Sequence, residues 1–446
     1  MQAEIALNVQ QSIRPGECID TYYAGKENSL KQCHATVEDN RFFQGLQSLG
    51  SGSSSTVTFN PNEGLAEVIV TLTLPAPSTG VSLATAPGWG YSLIRRIGYR
   101  YGSSQLYYIN SAQNLVQTLS LCEDSGKKQQ MLFLGGQALL SPADWADVTK
   151  RTAYVYLRLP HSSPALSGGA LPFPSDVLTA PIQLQIDLED FGKVISNVGG
   201  GDATPQALSF GAVNFTQVTM QDSQDLIARR FDMSKHALTI PLCESWTQEA
   251  VQFPFTSGST DGTFSLALTG CKAGDLKGLR VWFSKASDTA ASSGIRNPVR
   301  YYSPTNIQFA INGLIYMASN SASYLLNQVI RRRTPPSVTA GVVSYVGVPG
   351  AGAFAIDPQA QSWLEINLAQ PYTVAKTSEV ALLHGVPVMN SVLSLSGSMS
   401  DLNTQFICNV EYDLNCSWMA SRGSAKRCGH VVVKKQRLNY LAEITA

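Results

Sequence analysis

The sequence predicts an all-β protein made of two tandem β-sandwiches of jelly-roll type, with a few short helices in the inter-strand loops. Three observations carry that prediction: period-two hydrophobicity along much of the chain, an internal repeat spaced by about 210 residues, and a shortage of charge. Of 446 residues, 14% are charged and 44% hydrophobic. The charged share falls well below the roughly 25% usual in soluble domains. Ser, Thr, Asn, Gln and Gly must then supply the exposed polarity, a pattern suited to β-rich proteins and to surfaces meant to be covered.

The strands are read from alternation. Over residues 405–418, Phe406, Cys408, Val410, Tyr412, Leu414, Cys416 and Trp418 alternate with Ile407, Asn409, Glu411, Asp413, Asn415 and Ser417. One face is expected to be buried and the other mostly wet. Ala153, Val155, Leu157 and Leu159 alternate in the same way, as do Ile182, Leu184, Ile186 and Leu188 against Gln183, Gln185 and Asp187.

Helical spacing is scarce. Three short helices are expected where Ser111 precedes AQNLVQTLSL, Ser141-Pro142 precedes ADWADV, and Ser321 precedes ASYLLNQVI, each serine standing as an N-cap. Stretches rich in Gly, Ser and Pro at 50–55, 162–174 and 284–297 read as loops. Many short strands with long connections give a jelly-roll-like sandwich.

The repeat joins IRRIGYRYGSSQLYYINSAQNLVQTL from Ile94 to TNIQFAINGLIYMASNSASYLLNQVI from Thr305. Each reads strand, tight turn, strand, then a helix opened by Asn-Ser-Ala, with Asn320 about 210 residues after Asn110. The turns differ: Gly102-Ser103-Ser104 in the first and Asn312-Gly313 in the second, a dipeptide favoured where both central residues need positive φ. A second match, residues 171–188 with 382–399, has a spacing of about 211. Two matches at one spacing imply a duplicated unit. The organisation expected is a first sandwich with an N-terminal extension over 1–220, a linker over 221–235, a second sandwich over 236–418 and a basic C-terminal segment over 419–446.

Function classes narrow by exclusion. With 32 basic and 32 acidic side chains the chain lacks the basic footprint of a free nucleic-acid binder. A chain near neutrality also repels its own copies weakly, so self-association is allowed. The eight cysteines are far apart, with no C-x-x-C pair or finger-like histidine spacing, which favours a reduced intracellular setting and leaves disulfides open. The opening stretch lacks a basic start followed by an apolar core, and no run reaches the roughly 18 apolar residues of a membrane span, so neither a signal peptide nor a transmembrane segment is expected. Asn214-Phe-Thr216 and Asn415-Cys-Ser417 match the glycosylation sequon and, without secretion, read as chance.

Catalytic motifs are wanting. No G-x-S-x-G elbow occurs, and His161 and His384 read as loop or structural residues. Glu189-Asp190, and Asp144 with Asp147, are carboxylate pairs of the kind glycoside hydrolysis uses, but they read as solvated polarity at a strand end and a helix start. The glycine-rich runs 199–202 and 347–352 lack the phosphate-cradling pattern. No catalytic, cofactor-binding or metal-binding residue is therefore assigned, and no cofactor is expected. Arg331-Arg332-Arg333 reads as the end of the Ser321 helix, stopped by Pro335-Pro336. The C-terminal segment sets Arg422, Lys426, Arg427, Lys434, Lys435 and Arg437 against the single acid Glu443, a surface for packaged DNA, an anionic membrane or an acidic protein, or else a solvated tail.

Taken in order, these residues resemble the double jelly-roll major capsid proteins of large DNA viruses, virophages and the adenovirus hexon lineage. The strand-turn-strand-helix unit recurs once per roll in that family. Asp225-Leu-Ile-Ala-Arg229-Arg230-Phe231 followed by His236-Ala-Leu238-Thr-Ile240 is similar to its basic inter-roll segment. The run Leu266-Ala-Leu268-Thr-Gly270 through Leu276 to Phe283 resembles its early strand pair ending in aromatics. The aromatic and arginine-rich opening segment common in large-virus relatives is not found. The resemblance implies two tandem eight-stranded jelly rolls and a non-enzymatic homotrimer whose six rolls form a pseudo-hexagonal capsomer in an icosahedral virion shell. It also implies penton and minor capsid partners and no small-molecule substrate.

Two further readings stay open at this point. One is a carbohydrate-binding, lectin-like protein of two β-sandwiches, with Trp89, Trp145 and Tyr107-Tyr108 as exposed sugar platforms. The other is a glycan-cleaving enzyme.

Overall fold

The structure, a computed structural model, describes residues 32–39, 48–60, 64–77, 83–110, 113–116, 118, 125–157, 159, 180–197, 207–220, 238–253, 261–269, 274–285, 306–320, 364–367, 386–388, 391–400, 406–421 and 423–429. They are mostly strand. The first unit contains β1 (Gln32–Asp39), β2 (Ser48–Gly50), β3 (Ser54–Phe59), β4 (Gly64–Thr73), β5 (Leu83–Thr85), β6 (Ile94–Tyr101), β7 (Ser104–Asn110), β8 (Thr152–Leu157), β9 (Ile182–Leu188), β10 (Ile195–Asn197) and β11 (Ala207–Met220). The second contains β12 (Leu238–Phe253), β13 (Asp261–Leu268), β14 (Asp275–Lys285), β15 (Asn306–Ile311), β16 (Leu314–Asn320), β17 (Leu364–Asn367), β18 (Val386–Pro387), β19 (Leu393–Ser400), β20 (Phe406–Ser421) and β21 (Ser424–Gly429).

Strand order shows the duplication directly. The first unit has sheets β1-β11-β4-β8 and β3-β9-β6-β7; the second has β12-β20-β14-β17 and β13-β19-β15-β16. Leaving aside the short β2, β5, β10 and β18 and the terminal β21, both units pair their strands first-eighth-third-sixth and second-seventh-fourth-fifth. These are two jelly rolls of one topology, with every pairing between named strands antiparallel.

Register repeats as closely as order does. Arg96 pairs with Asn110, and Asn306 with Asn320. Tyr101 pairs with Ile182, and Ile311 with Leu393. The β6–β7 ladder slips between Tyr99 and Arg100, and the β15–β16 ladder between Phe309 and Ala310, so Leu106 and Tyr316 are corresponding bulge residues. Even the turns correspond. Gly102 (φ 53°) and Asn312 (φ 51°) both take the left-handed conformation, and their N–H groups donate to Pro181 O at 3.0 Å and Val392 O at 2.8 Å. The first turn is a two-residue loop, Gly102-Ser103, rather than the three-residue one expected, because Ser104 already pairs with Tyr101.

The alternation places the cores. Val68, Val70, Leu72, Val155, Leu157, Ile182, Leu184 and Ile186 are buried inside the first roll. Cys408, Val410, Tyr412 and Leu414 join Leu279, Val281, Phe309 and Leu395 in the second. Phe264 and Phe283 meet between its two sheets at 5.3 Å. Burial pushes the Cys408 thiol far above its usual pKa, so it acts as a small apolar side chain. The sequons at Asn214 and Asn415 lie on β11 and β20, each paired on both sides.

The Ser141 cap holds: its hydroxyl accepts from Asp144 N–H at 3.2 Å, and Asp144 Oδ2 accepts from Ser141 N–H at 3.0 Å, a reciprocal capping box opening the helix Pro142–Ala146. The helix at 113–116 is capped one residue before Ser111. Asn110 Oδ1 accepts from Gln113 N–H at 2.7 Å and Asn110 N–H donates to Gln113 Oε1 at 3.4 Å, so the box is Asn-x-x-Gln. The 50–55 loop is shorter than expected, since β3 starts at Ser54. The Ser321 helix, the linker 221–235, the 162–174 loop and both glycine-rich runs lie outside the described residues, as do most of 284–297 and Arg331 to Arg333.

Candidate functional site

The carboxylates that resembled catalytic pairs are occupied in holding the backbone. Burial works to raise the Asp144 pKa, but hydrogen bonds from Lys150, Ser141 and two backbone N–H groups outweigh it and hold it below the ordinary value. Asp147 Oδ1 accepts from Thr149 N–H at 2.9 Å, and Asp190 Oδ1 from Gly192 N–H at 3.0 Å, capping the short 3-10 turn Phe191–Lys193. Glu189 pairs with Lys193 at 3.1 Å. Among the described residues no group of three or more His, Cys, Asp or Glu is placed to hold a metal ion, and no helix is long and apolar enough to cross a membrane. His161 and His384 lie outside the described residues.

The sugar-platform expectation is overturned by burial. Trp89 and Trp145 are each 1% exposed and Tyr107 is 3% exposed. Trp145 Nε1 donates to Leu83 O at 2.8 Å, which ties its ring to β5. Tyr108 alone keeps an open face, and the Arg96 guanidinium stands 4.7 Å from its ring centroid. Aromatic content marked these residues in the sequence, but their apolar area serves the fold.

The side-chain chemistry gathers on the outer faces of the sheets. On the β3-β9-β6-β7 sheet, Asp187 accepts at Oδ1 from Ser54 Oγ (2.8 Å) and Gln185 Nε2 (3.0 Å), and at Oδ2 from Arg96 Nε (2.9 Å) and Nη2 (2.8 Å). Alternation puts Asp187 on the wet face, yet its side chain is 4% exposed, because these neighbours fold over it. Burial acts to raise its pKa, and the donors from Ser54, Gln185 and Arg96 reverse that and hold it low. On the β12-β20-β14-β17 sheet, Arg280 and Glu411 sit opposite one another and pair in a fork: Nε to Oε2 at 3.1 Å and Nη2 to Oε1 at 2.7 Å. Both are buried, as is Trp282 on the same face, so this outer face of the second roll is covered. The matching strands of the first roll leave Tyr154 exposed and Ile69, Thr71 and Tyr156 half-buried.

A seat between the rolls links the two. The β6–β7 tip of the first roll rests on the β20–β21 hairpin of the second: Tyr101 OH donates to Ser421 O at 3.3 Å, Ser103 N–H to Gly423 O at 3.3 Å, and Ala425 N–H to Ser104 Oγ at 3.2 Å. A Cβ at Gly102 would overlap the Gly423 carbonyl, so glycine is required there for close approach, and it takes the positive φ at no steric cost. Burial pushes the Tyr101 hydroxyl up to about 12, the Gly423 backbone opposing it. The sequence marked Gly102 as a turn but carried no sign that Gly423 would face it.

Of the basic C-terminal residues, Lys426 is exposed on β21 and Arg427 stands opposite Trp418 in the same ladder. β20 continues through Ser421 and β21 returns along it, so the segment begins as a strand pair. Arg422, Lys434, Lys435 and Arg437 lie outside the described residues.

No family model matches the chain, and no curated protein matches it in sequence. Its structure is similar to solved viral capsid proteins. PBCV-1 VP54, as fitted into a reconstruction of the virophage Sputnik, superposes with a TM-score of 0.59 at 12% identity, over 91% of this chain and 98% of that one. The Faustovirus major capsid protein gives 0.54 at 9% identity, over 89% and 92%. The Sputnik virophage structure gives 0.53 at 10% identity, over 91% and 89%. The chain has the double jelly-roll fold these proteins share.

Proposed function

We propose that this chain is a major capsid protein, a structural, non-catalytic subunit that trimerises into a pseudo-hexagonal capsomer and tiles the icosahedral shell of a double-stranded DNA virus. The observation that carries the reading is the same eight-strand order written twice in one chain and seated roll against roll, in a fold shared with capsid proteins over about 90% of its length.

The physical logic follows from shape and charge. A jelly roll is a stiff slab whose two ends carry loops and whose flanks carry sheet edges and outer faces. Such flanks must be paired, covered or made unattractive. This chain covers one outer face and one tip internally, and at 14% charge it spends few charges guarding the rest. A subunit with one flank of each kind left open associates head to tail, and such contacts close into a ring when the rotation allows. Three chains give six slabs, the symmetry a hexagonal lattice position demands.

The shell's partners follow from the same reading. Capsomers contact one another, penton proteins and minor capsid proteins, while the segment carrying Arg422, Lys426, Arg427, Lys434, Lys435 and Arg437 meets DNA, membrane or an acidic protein inside the virion. Light scattering on the purified protein is expected to give a stable species near three times 48.0 kDa, and negative-stain images a hexagonal outline with threefold contrast. A monomer at all concentrations refutes the proposal.

A further inference from the structure

The two β-hairpins that correspond across the repeat differ in one respect. The β6–β7 tip is covered within the chain by Ser421, Gly423 and Ala425, and the β15–β16 tip is open. Leu314 is 64% exposed, Ile315 54%, Tyr316 43% and the adjoining Val392 67%. Val392 belongs to the same tip, since its N–H donates to Asn312 Oδ1 at 2.8 Å and its carbonyl accepts from Asn312 N–H at 2.8 Å. β16 is also the edge strand of its sheet, with one side of its backbone ladder unpaired in the named sheets.

The chemistry is inverted relative to burial. In the repeat register Leu314, Ile315 and Val392 correspond to Ser104, Gln105 and Pro181. The half-buried set in the covered tip contains serine and glutamine, and the open set is aliphatic. Solvent exposure alone favours the reverse. Neighbouring exposed apolar side chains on an edge strand mark a surface that is covered in the working state.

We infer that the β15–β16 tip docks on a second copy of this chain, against the start of β1 and the end of β11, a contact that rests on the capsomer reading and specifies it. The docking place is read from the precedent inside the chain. The first roll's tip sits at the end of β20, where Ala420 pairs with Leu238 at the start of β12, and the corresponding pair in the first roll is Met220 with Gln32. A tip on the second roll meets that place only in another molecule. The contact is therefore heterologous, with tip on one side and strand ends on the other.

The test replaces Leu314→Lys and Ile315→Lys together and measures mass by light scattering over a concentration series, with far-ultraviolet circular dichroism to follow the strands. The wild type is expected to assemble, and the variant to run at the 48.0 kDa chain mass with at least a tenfold higher concentration needed for association. Should the variant fail to fold, amide hydrogen exchange on the wild type reads the same contact: residues 314–318 slow on assembly. An assembled wild type whose variant assembles equally well overturns the tip contact and leaves the capsomer reading standing, as does an assembled wild type whose 314–318 amides exchange no slower than in dilute protein. A wild type that never assembles overturns the capsomer reading itself.

Discussion

Gly102→Ala isolates the seat between the two rolls. Gly102 has φ 53° and faces the Gly423 carbonyl, whereas Gly313, with φ 78°, has nothing within 4 Å of a built Cβ. Both changes impose left-handed backbone on a residue with a Cβ, a cost of about 1–2 kcal/mol. Only Gly102→Ala also forces the β20–β21 turn away. That movement threatens the bonds from Ser103 N–H to Gly423 O and from Ala425 N–H to Ser104 Oγ, each contributing about 0.5–1.5 kcal/mol. Gly102→Ala is thus expected to cost about 1–3 kcal/mol more than Gly313→Ala. For domains of this size roughly 2–4 °C of midpoint accompanies each kcal/mol, so scanning calorimetry should place Gly102→Ala about 2–12 °C below Gly313→Ala. Equal midpoints for the two variants would refute the seat as a stabilising contact.

Two other perturbations probe the outer faces. Asp187→Asn removes a carboxylate whose folded pKa is held below its unfolded value, so its contribution is complete above the ordinary carboxylate range and fades as pH falls through the folded pKa. The wild type should exceed the variant by about 2 kcal/mol at neutral pH in urea unfolding, the scale of hydrogen bonds to a charged group, with the gap closing in acid; a gap independent of pH contradicts the assignment. Arg280→Met strands the buried Glu411 carboxylate and should cost about 3–5 kcal/mol, while Arg280→Met with Glu411→Leu should recover most of it. A double variant no better than the single one counts against the pairing.

What the sequence disclosed follows from the geometry of a strand. Side chains alternate with period two, so a buried face writes itself into the chain as Val57, Phe59 or Ile182, Leu184, Ile186, and duplicated strands repeat that writing at one spacing. Alternation is silent about the second face. Asp187 and Glu411 both read as wet positions, and both are buried, each with an arginine from another strand bonded to its carboxylate. The missed helices have equally local causes. Trp89–Leu93 starts at Gly88 with no side-chain cap, and four of its five residues are buried, which erases any amphipathic stripe. Ser125–Leu134 carries Lys127 and Lys128 in its first turn and no acid there, against the helix dipole. The aromatic platforms failed for a related reason: Trp89 and Trp145 pack among connections between strands, where composition gives no hint of depth.

Duplication raises a problem that the two tips resolve. If both rolls kept identical edges, the first roll's tip and the second's would compete for the same receiving strands, within the chain and between chains, with no preference for one register. The chain instead gives its internal contact polar groups with directional hydrogen bonds, Tyr101 and Ser104 against Ser421 and Ala425. It gives the open contact aliphatic area at Leu314, Ile315 and Val392. Hydrogen bonds demand a fixed geometry, which a covalently joined neighbour supplies at low entropic cost. Apolar area tolerates small misalignment and gains most when water is expelled between molecules that must first find one another. On the capsomer reading, that division lets one fold be used twice while leaving a single way to close the ring.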